Sequence, residues 1–325
     1  MILKISTHIS RILVGLLFIY SGFVKLVDPI GSQYKFQEYF SEGVLNMEFL
    51  IPYTLPFAIL LIISELVLGV MLIVGYKPKL TVWSIFGLNL IFLFLTWYSY
   101  TYNKVTDCGC FGDALKLTPK ETFYKNVIFM VFIVILIFGL KHIKPLLSDK
   151  LGAIKTYGTI IVSLFITYYV LNHLPIIDFR AYSIGTDIAE GMKYQDDSDE
   201  VPPIHDFMIE TDEEGDLLET MLAKDKAMLV IMYNFDKTEK EGISAISKAA
   251  AKAKAKGYEI YVLTASYIED LATSQKEFNL PYTFGFCDET ALKTVIRANP
   301  GIVTVEKGII AGKWNWTDAE DIILK

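Results

Sequence analysis

Five long apolar runs set the first limit on what this chain can fold into. A bilayer core about 30 Å thick is crossed by about 20 mostly apolar residues in a helix. Stretches at roughly 9–27, 55–76, 80–100, 123–140 and 154–173 meet that length. With 53% hydrophobic residues among 325, the chain is too apolar for an ordinary soluble enzyme. The first run has no small-residue cleavage site and continues into Ser21, Gly22 and Lys25, so it reads as a retained span and not a removed leader.

Charge divides the chain in two. Residues 1–177 carry 14 Lys+Arg against 9 Asp+Glu, and residues 178–325 carry 16 against 28. The acidic second half argues against nucleic acid as a partner, because phosphate binding needs a basic face. In the short connections, Lys4, Arg11, Lys77, Lys79, Lys141, Lys144, Lys150 and Lys155 fall on one side, with Asp149 their one acidic companion. Positive loops stay in the cytoplasm, so the amino terminus is expected there. Five spans then put the second half outside, in the periplasm of a bacterium with two membranes.

Between the third and fourth runs lies Thr106-Asp107-Cys108-Gly109-Cys110-Phe111-Gly112-Asp113, which holds two of the three cysteines. It falls on the outer side, where disulfides persist. Cysteines one residue apart close only a small, strained ring, and a strained disulfide is easily reduced. Gly109 loosens the backbone enough for closure. Cys108 and Cys110 therefore form either a redox-active pair or a loop staple. A metal site would need two further ligands, and His173 and His205 are the outer histidines.

Glu65 lies ten residues into the second run, near mid-depth at about 1.5 Å per residue. A carboxylate there is costly and marks a candidate site. Counting depth along the other runs gives it Asn89, Tyr20 and Ser21 as neighbours. Such a cluster can hold a quinone headgroup or relay a proton, or it can be hydrogen-bonded glue between helices. Lys25, closer to the outer surface, is expected to snorkel there or to pair with Asp28.

The Ser21-Gly22, Lys25 and Asp28-Pro29 pattern, Ser64-Glu65 in the second run, the Cys-Gly-Cys-Phe-Gly loop and Asn126 together resemble the MauE/DoxX-like family of four-helix membrane proteins, over about residues 8–140. The loop is similar to that of the MauE branch. The resemblance implies a role in maturing disulfide-bearing periplasmic proteins. Known quinone-linked disulfide oxidases relay electrons between two cysteine pairs, and this region has one.

After the fifth run, Asp187, Glu190, Asp196, Asp197, Asp199 and Glu200 read as a solvated tether. From Pro202 onward the periods become those of an α/β domain. Strands are expected at 227–233, 258–263 and 282–286, helices at 238–256, 268–278 and 288–298, a hairpin over 302–313, and a last helix from Thr317. That order, with Ile204-His205-Asp206-Phe207 and Asn299-Pro300-Gly301 before the hairpin, resembles a thioredoxin-like domain. The resemblance implies a cis-proline at Pro300. The usual two-cysteine motif is missing, because Asn234-Phe235-Asp236-Lys237-Thr238 stands in its place. Dithiol exchange by that mechanism is therefore closed to the domain, which points to partner binding through Asn234, Asn299 and Pro300. Cys287 is either a small buried hydrophobe or a thiol able to reach Cys108 or Cys110.

The expected architecture is an α-helical membrane bundle followed by an α/β thioredoxin-like domain. Residues 1–145 form the four-helix domain, 146–177 the fifth span, 178–201 an acidic linker and 202–325 the periplasmic domain. Two functions fit. One is thiol–disulfide maturation of exported proteins in a bacterial inner membrane, with quinone as the candidate cofactor and periplasmic or membrane proteins, besides lipid, as partners. The other is a non-enzymatic scaffold of an envelope or protein-export complex.

Overall fold

The computed structural model describes residues 1–105, 109–115, 117–194, 201–211, 215–266, 276, 278 and 280–325, with Lys240 as backbone only. Two compact units divide it, Met1–Leu171 and Asn172–Lys325.

The membrane unit runs through α1 (Ile2–Val27), α2 (Pro29–Phe40), α3 (Thr54–Val74), α4 (Pro78–Tyr102), α5 (Pro119–Phe138) and α6 (Asp149–Asn172). Among the described residues, five helices are long and apolar enough to cross a membrane: α1, α3 with the tight turn leading into it, α4, α5 and α6. Local signals set their ends. Proline occupies the first turn of α2, α4 and α5, where a backbone N–H would be unpaired anyway. Gly75, at φ 72°, ends α3 in the left-handed region. Thr118 and Glu121 form a reciprocal capping box on α5.

Close packing of α1 on α3 organises the bundle. A methyl group on Gly22 would come within 3.0 Å of the Leu66 nitrogen, and one on Gly69 within 2.9 Å of the Gly15 carbonyl oxygen. Small residues at these positions let the two backbones approach. In the first half of α1, the buried Arg11 guanidinium donates to the carbonyls of Leu72 and Ile73 in the last turn of α3 and of Lys144 at 2.8–3.0 Å, which gives Ile73 a partner its own helix cannot supply.

The sheet unit holds α7 (Ile188–Gly191), β1 (Glu210–Thr211), β2 (Gly215–Asp216), α8 (Leu218–Leu222), β3 (Ala227–Ile231), α9 (Lys240–Ala255), β4 (Glu259–Thr264), β5 (Thr283–Phe286), α10 (Glu289–Val295), β6 (Gly301–Glu306) and β7 (Ile309–Asn315). The seven strands lie in the order β2-β1-β5-β4-β3-β6-β7. β3, β4 and β5 are parallel, while β6 and β7 run antiparallel. Alternation along β3 feeds two cores: Leu229 and Ile231 join Leu263 and Val303 on one face, and Met228 and Val230 meet Ile246 and Ala250 of α9 on the other.

Two features differ from the sequence expectation. The short α2 carries no clear sequence signal, because its apolar residues are interleaved with Gln33, Lys35 and Gln37 and show little amphipathic period. Residues 178–194, expected as part of an acidic linker, are instead built into the sheet unit. Tyr182 and Ile188 are buried in its core, and Gly185, Thr186 and Ile188 exchange backbone hydrogen bonds with the β6–β7 hairpin. Two isolated apolar anchors among acidic residues carry no readable period. The expected tether residues 196–200 and all but Lys276 and Phe278 of the expected 268–278 helix lie outside the described residues.

Candidate functional site

The site begins with Gly22. By letting α1 touch α3 there, it brings Lys25, almost one turn further on, against Glu65. Lys25 Nζ donates to both carboxylate oxygens at 3.0 and 2.9 Å, and the two side chains are only 5% and 1% exposed. The third ammonium proton goes to Ser21 Oγ at 2.6 Å. Ser21 then donates to the Cys110 carbonyl oxygen at 2.9 Å. An unbroken chain thus runs from a buried carboxylate to the backbone of the cysteine loop.

The described part of the loop is clamped on several sides. Phe111 is 5% exposed, tilted against Tyr20 at a centroid separation of 5.6 Å and capped by Lys125 Nζ 4.3 Å from its ring centre. Gly109 adopts φ 62°, and the Lys35 side chain packs so closely that a methyl group there would sit 2.7 Å from its Cγ. Glycine is required on both counts. Beside the loop is a cleft of about 50 Å³ whose walls include Lys25, Lys35, Phe36, Phe92, Thr96 and Cys110. Cys110 is a free thiol, half-buried. Cys108 and Asp107 lie outside the described residues.

The structure brings Glu65, Lys25 and Ser21 together and sets Asn89 and Tyr20 apart. Asn89 faces α5, where its Nδ2 donates to the Asn126 carbonyl at 3.3 Å, and Asn126 Nδ2 donates to Thr96 Oγ1 at 3.3 Å. That second polar chain reaches the cleft through Thr96. Tyr20 is largely exposed and serves as a wall for Phe111. Lys25 neither snorkels nor pairs with Asp28, whose carboxylate caps α2 at Gly31. The reason is α2. It carries the chain past Lys25, with Phe36 tilted against Phe57 and Phe40 edge-on to it near the start of α3, so Val27 is not the edge of the buried region.

In the sheet unit, Asn234, Asn299 and Pro300 also converge. Asn299 Nδ2 donates to the Asn234 carbonyl at 2.8 Å, and Thr238 Oγ1 donates to the same oxygen. The Asn299-Pro300 bond is cis. Cys287 is 1% exposed, and burial, with Asp288 beside it, pushes its thiol up to about 12. A buried charged cluster went unnoticed in the sequence. Asp178 accepts from Arg180 Nε and Lys313 Nζ, both at 2.6 Å. Burial opposes the ionised carboxylate, yet the two cations hold it below the usual carboxylate range. Burial and then the Arg180 charge push Lys313 down to about 7 against the pull of Asp178. Asp178 and Lys313 are 135 residues apart, and only their pairing marks them.

Residues 3–139 match the family model of methylamine utilisation protein MauE. The match spans α1 to α5 and therefore includes the whole Glu65-to-Cys110 chain. No curated protein and no solved structure matches the chain.

Proposed function

We propose that the protein supports thiol–disulfide maturation of exported proteins from a bacterial inner membrane, with its amino terminus cytoplasmic and its sheet unit periplasmic. The observation that carries this reading is the link from Cys110 through Ser21 to the buried Lys25–Glu65 pair. A cysteine loop needed only as a staple has no use for an ion pair buried at such cost. Cys108 and Cys110 together oxidise an exported dithiol: two S–H bonds are lost there, a disulfide forms, and the pair is reduced. Reoxidation passes two electrons and two protons to an acceptor in the membrane. A quinone is the candidate.

The sheet unit is read as a thioredoxin-like module without its two cysteines. The β4-β3-β6-β7 order and the cis Asn299-Pro300 bond beside Asn234 support that reading. Its role is to bind a partner, not to exchange thiols. The competing reading, a scaffold in an envelope complex, draws on this substituted loop and on the burial of Cys287.

The experiment is alkylation of acid-trapped cells, reading Cys108 and Cys110 with and without quinone synthesis. A mixed population that shifts toward thiols on quinone depletion is expected. A pair locked in one state under both conditions would sink the redox reading in favour of the scaffold.

A further inference from the structure

The cleft puts Cys110 and Lys25, the cationic member of a buried ion pair, on the walls of one small, partly polar space. Cys110 and Lys25 both line it together with Ser32 and Thr96, and its volume of about 50 Å³ accommodates a few waters. A cysteine reacts as the thiolate, so a proton must leave Cys110 before its sulfur can attack. Among the described residues, the charged groups around it are few. α2 offers Lys35, already on Glu38 at 2.9 Å, and α5 offers Lys125 over Phe111. The turn after the loop offers Asp113, and α4 contributes the uncharged Thr96. α1 and α3 supply Lys25 and, directly behind it, Glu65.

We infer that the Lys25–Glu65 pair takes up the proton that Cys110 releases. Lys25 hands one of its three protons to Glu65, and the nitrogen lone pair so freed takes the Cys110 proton through water in the cleft as the S–H bond breaks. The products are a thiolate, an ammonium of unchanged charge and a neutral carboxylic acid. No electron moves in this step. Thiolate replaces carboxylate as the counter-charge of Lys25, so no isolated charge is created in a region where one is costly. The inference rests on the reading of Cys110 as a reacting thiol.

The test uses the full chain with Cys108→Ala and Cys287→Ala, so that Cys110 is its one thiol, and measures alkylation rate against pH. Adding Lys25→Met and Glu65→Met together removes both charges, which a fold tolerates better than losing one partner. The half-maximal pH is expected to rise by about one unit, making alkylation about tenfold slower at pH 7, with the limiting rate at high pH unchanged. An unmoved profile in the folded variant overturns the inference. If that variant does not fold, thiolate ultraviolet absorbance and the infrared band of a protonated carboxyl are measured at pH 7 with the pair intact, against the same chain carrying Cys110→Ala. Both signals must be present with Cys110 and absent without it, and thiolate without the carboxyl band, or neither signal, overturns the inference equally. Both readouts report thiol acidity alone. They can fail while the cysteine pair still cycles in cells, and the cell assay can fail while they hold.

Discussion

Lys25 Nζ contacts both carboxylate oxygens of Glu65, and Ser21 Oγ takes its remaining proton. The ammonium is saturated, and neither partner has a substitute. Removing one charge strands the other in an apolar interior, so Lys25→Met or Glu65→Met alone should cost about 3–5 kcal/mol. The double substitution should cost much less than the sum of the two. Thermal unfolding in detergent of the four proteins gives the coupling, and additive single costs would show that the pair acts as two independent groups.

Gly22 controls whether that pair can form. A methyl group there presses on the backbone nitrogen of Leu66 at 3.0 Å and on the Glu65 Cβ at 3.2 Å, and backbone cannot swing aside as a side-chain tip can. Gly22→Ala should destabilise the membrane unit by about 1–3 kcal/mol, the usual range for overpacking. Gly87, with nothing within 4 Å of such a methyl group, is the control: Gly87→Ala should be neutral or slightly stabilising through helix propensity. Equal melting shifts for the two variants would refute the close-approach argument.

The spans and the cysteine loop are visible as local patterns, apolar runs of membrane length and two cysteines one apart, while the cis-proline at Pro300 is implied by the thioredoxin-like resemblance. Which polar residues meet inside the bundle is not local. Counting depth along each run places Glu65 near Asn89 and Tyr20, but depth says nothing about which way a helix faces. Asn89 turns to Asn126 on α5, and α2 extends the buried region beyond Lys25. Gly22 was the usable signal, since a small residue one turn before a lysine tells which face of α1 meets its neighbour. The same limit hides Asp178 and Lys313, each unremarkable until the fold joins them.

Phe111 fastens the cysteine loop through Tyr20 and Lys125. It is buried, so Phe111→Ala removes a large side chain at a cost of about 3–5 kcal/mol, concentrated at the loop. Alkylation of Cys110 in the folded protein should then quicken, because the Ser21 hydrogen bond to its carbonyl loses its support. Phe111→Leu, which keeps much of the apolar volume without the ring face for Lys125, should fall between. A Cys110 rate that does not respond to Phe111→Ala would mean that Ser21 holds the loop alone.

Cys287 sits in the sheet core, with its thiol pushed up to about 12. Thiol reagents should leave it unmodified in the native protein at pH 8 while labelling it fully in denaturant. Its folded value lies above the ordinary 9.0, so the unfolded chain releases this proton first. Stability of the sheet unit should therefore fall as pH rises from about 9 toward 12, and Cys287→Ala should flatten that decline. Rapid labelling of native Cys287 would contradict the buried placement.

Asp178 answers to two cations at once. With Asp178→Asn, Arg180 and Lys313 lose their shared counter-charge, and although Lys313 can shed its proton, Arg180 cannot. A loss of about 3 kcal/mol at neutral pH is expected, the lower end for a broken buried pair. The pH dependence has a definite sign. The folded carboxyl is held below its ordinary value of 3.8, so on acidification the unfolded state takes up the proton first. The wild-type advantage is complete above the ordinary carboxylate range and is lost as pH drops through 3.8 and below. Urea unfolding of the full protein, followed by the fluorescence of Trp314 and Trp316 beside β7, should show the two proteins' midpoints converging in that window. A gap that persists unchanged to pH 2 would mean that Asp178 contributes through packing and not through its charge.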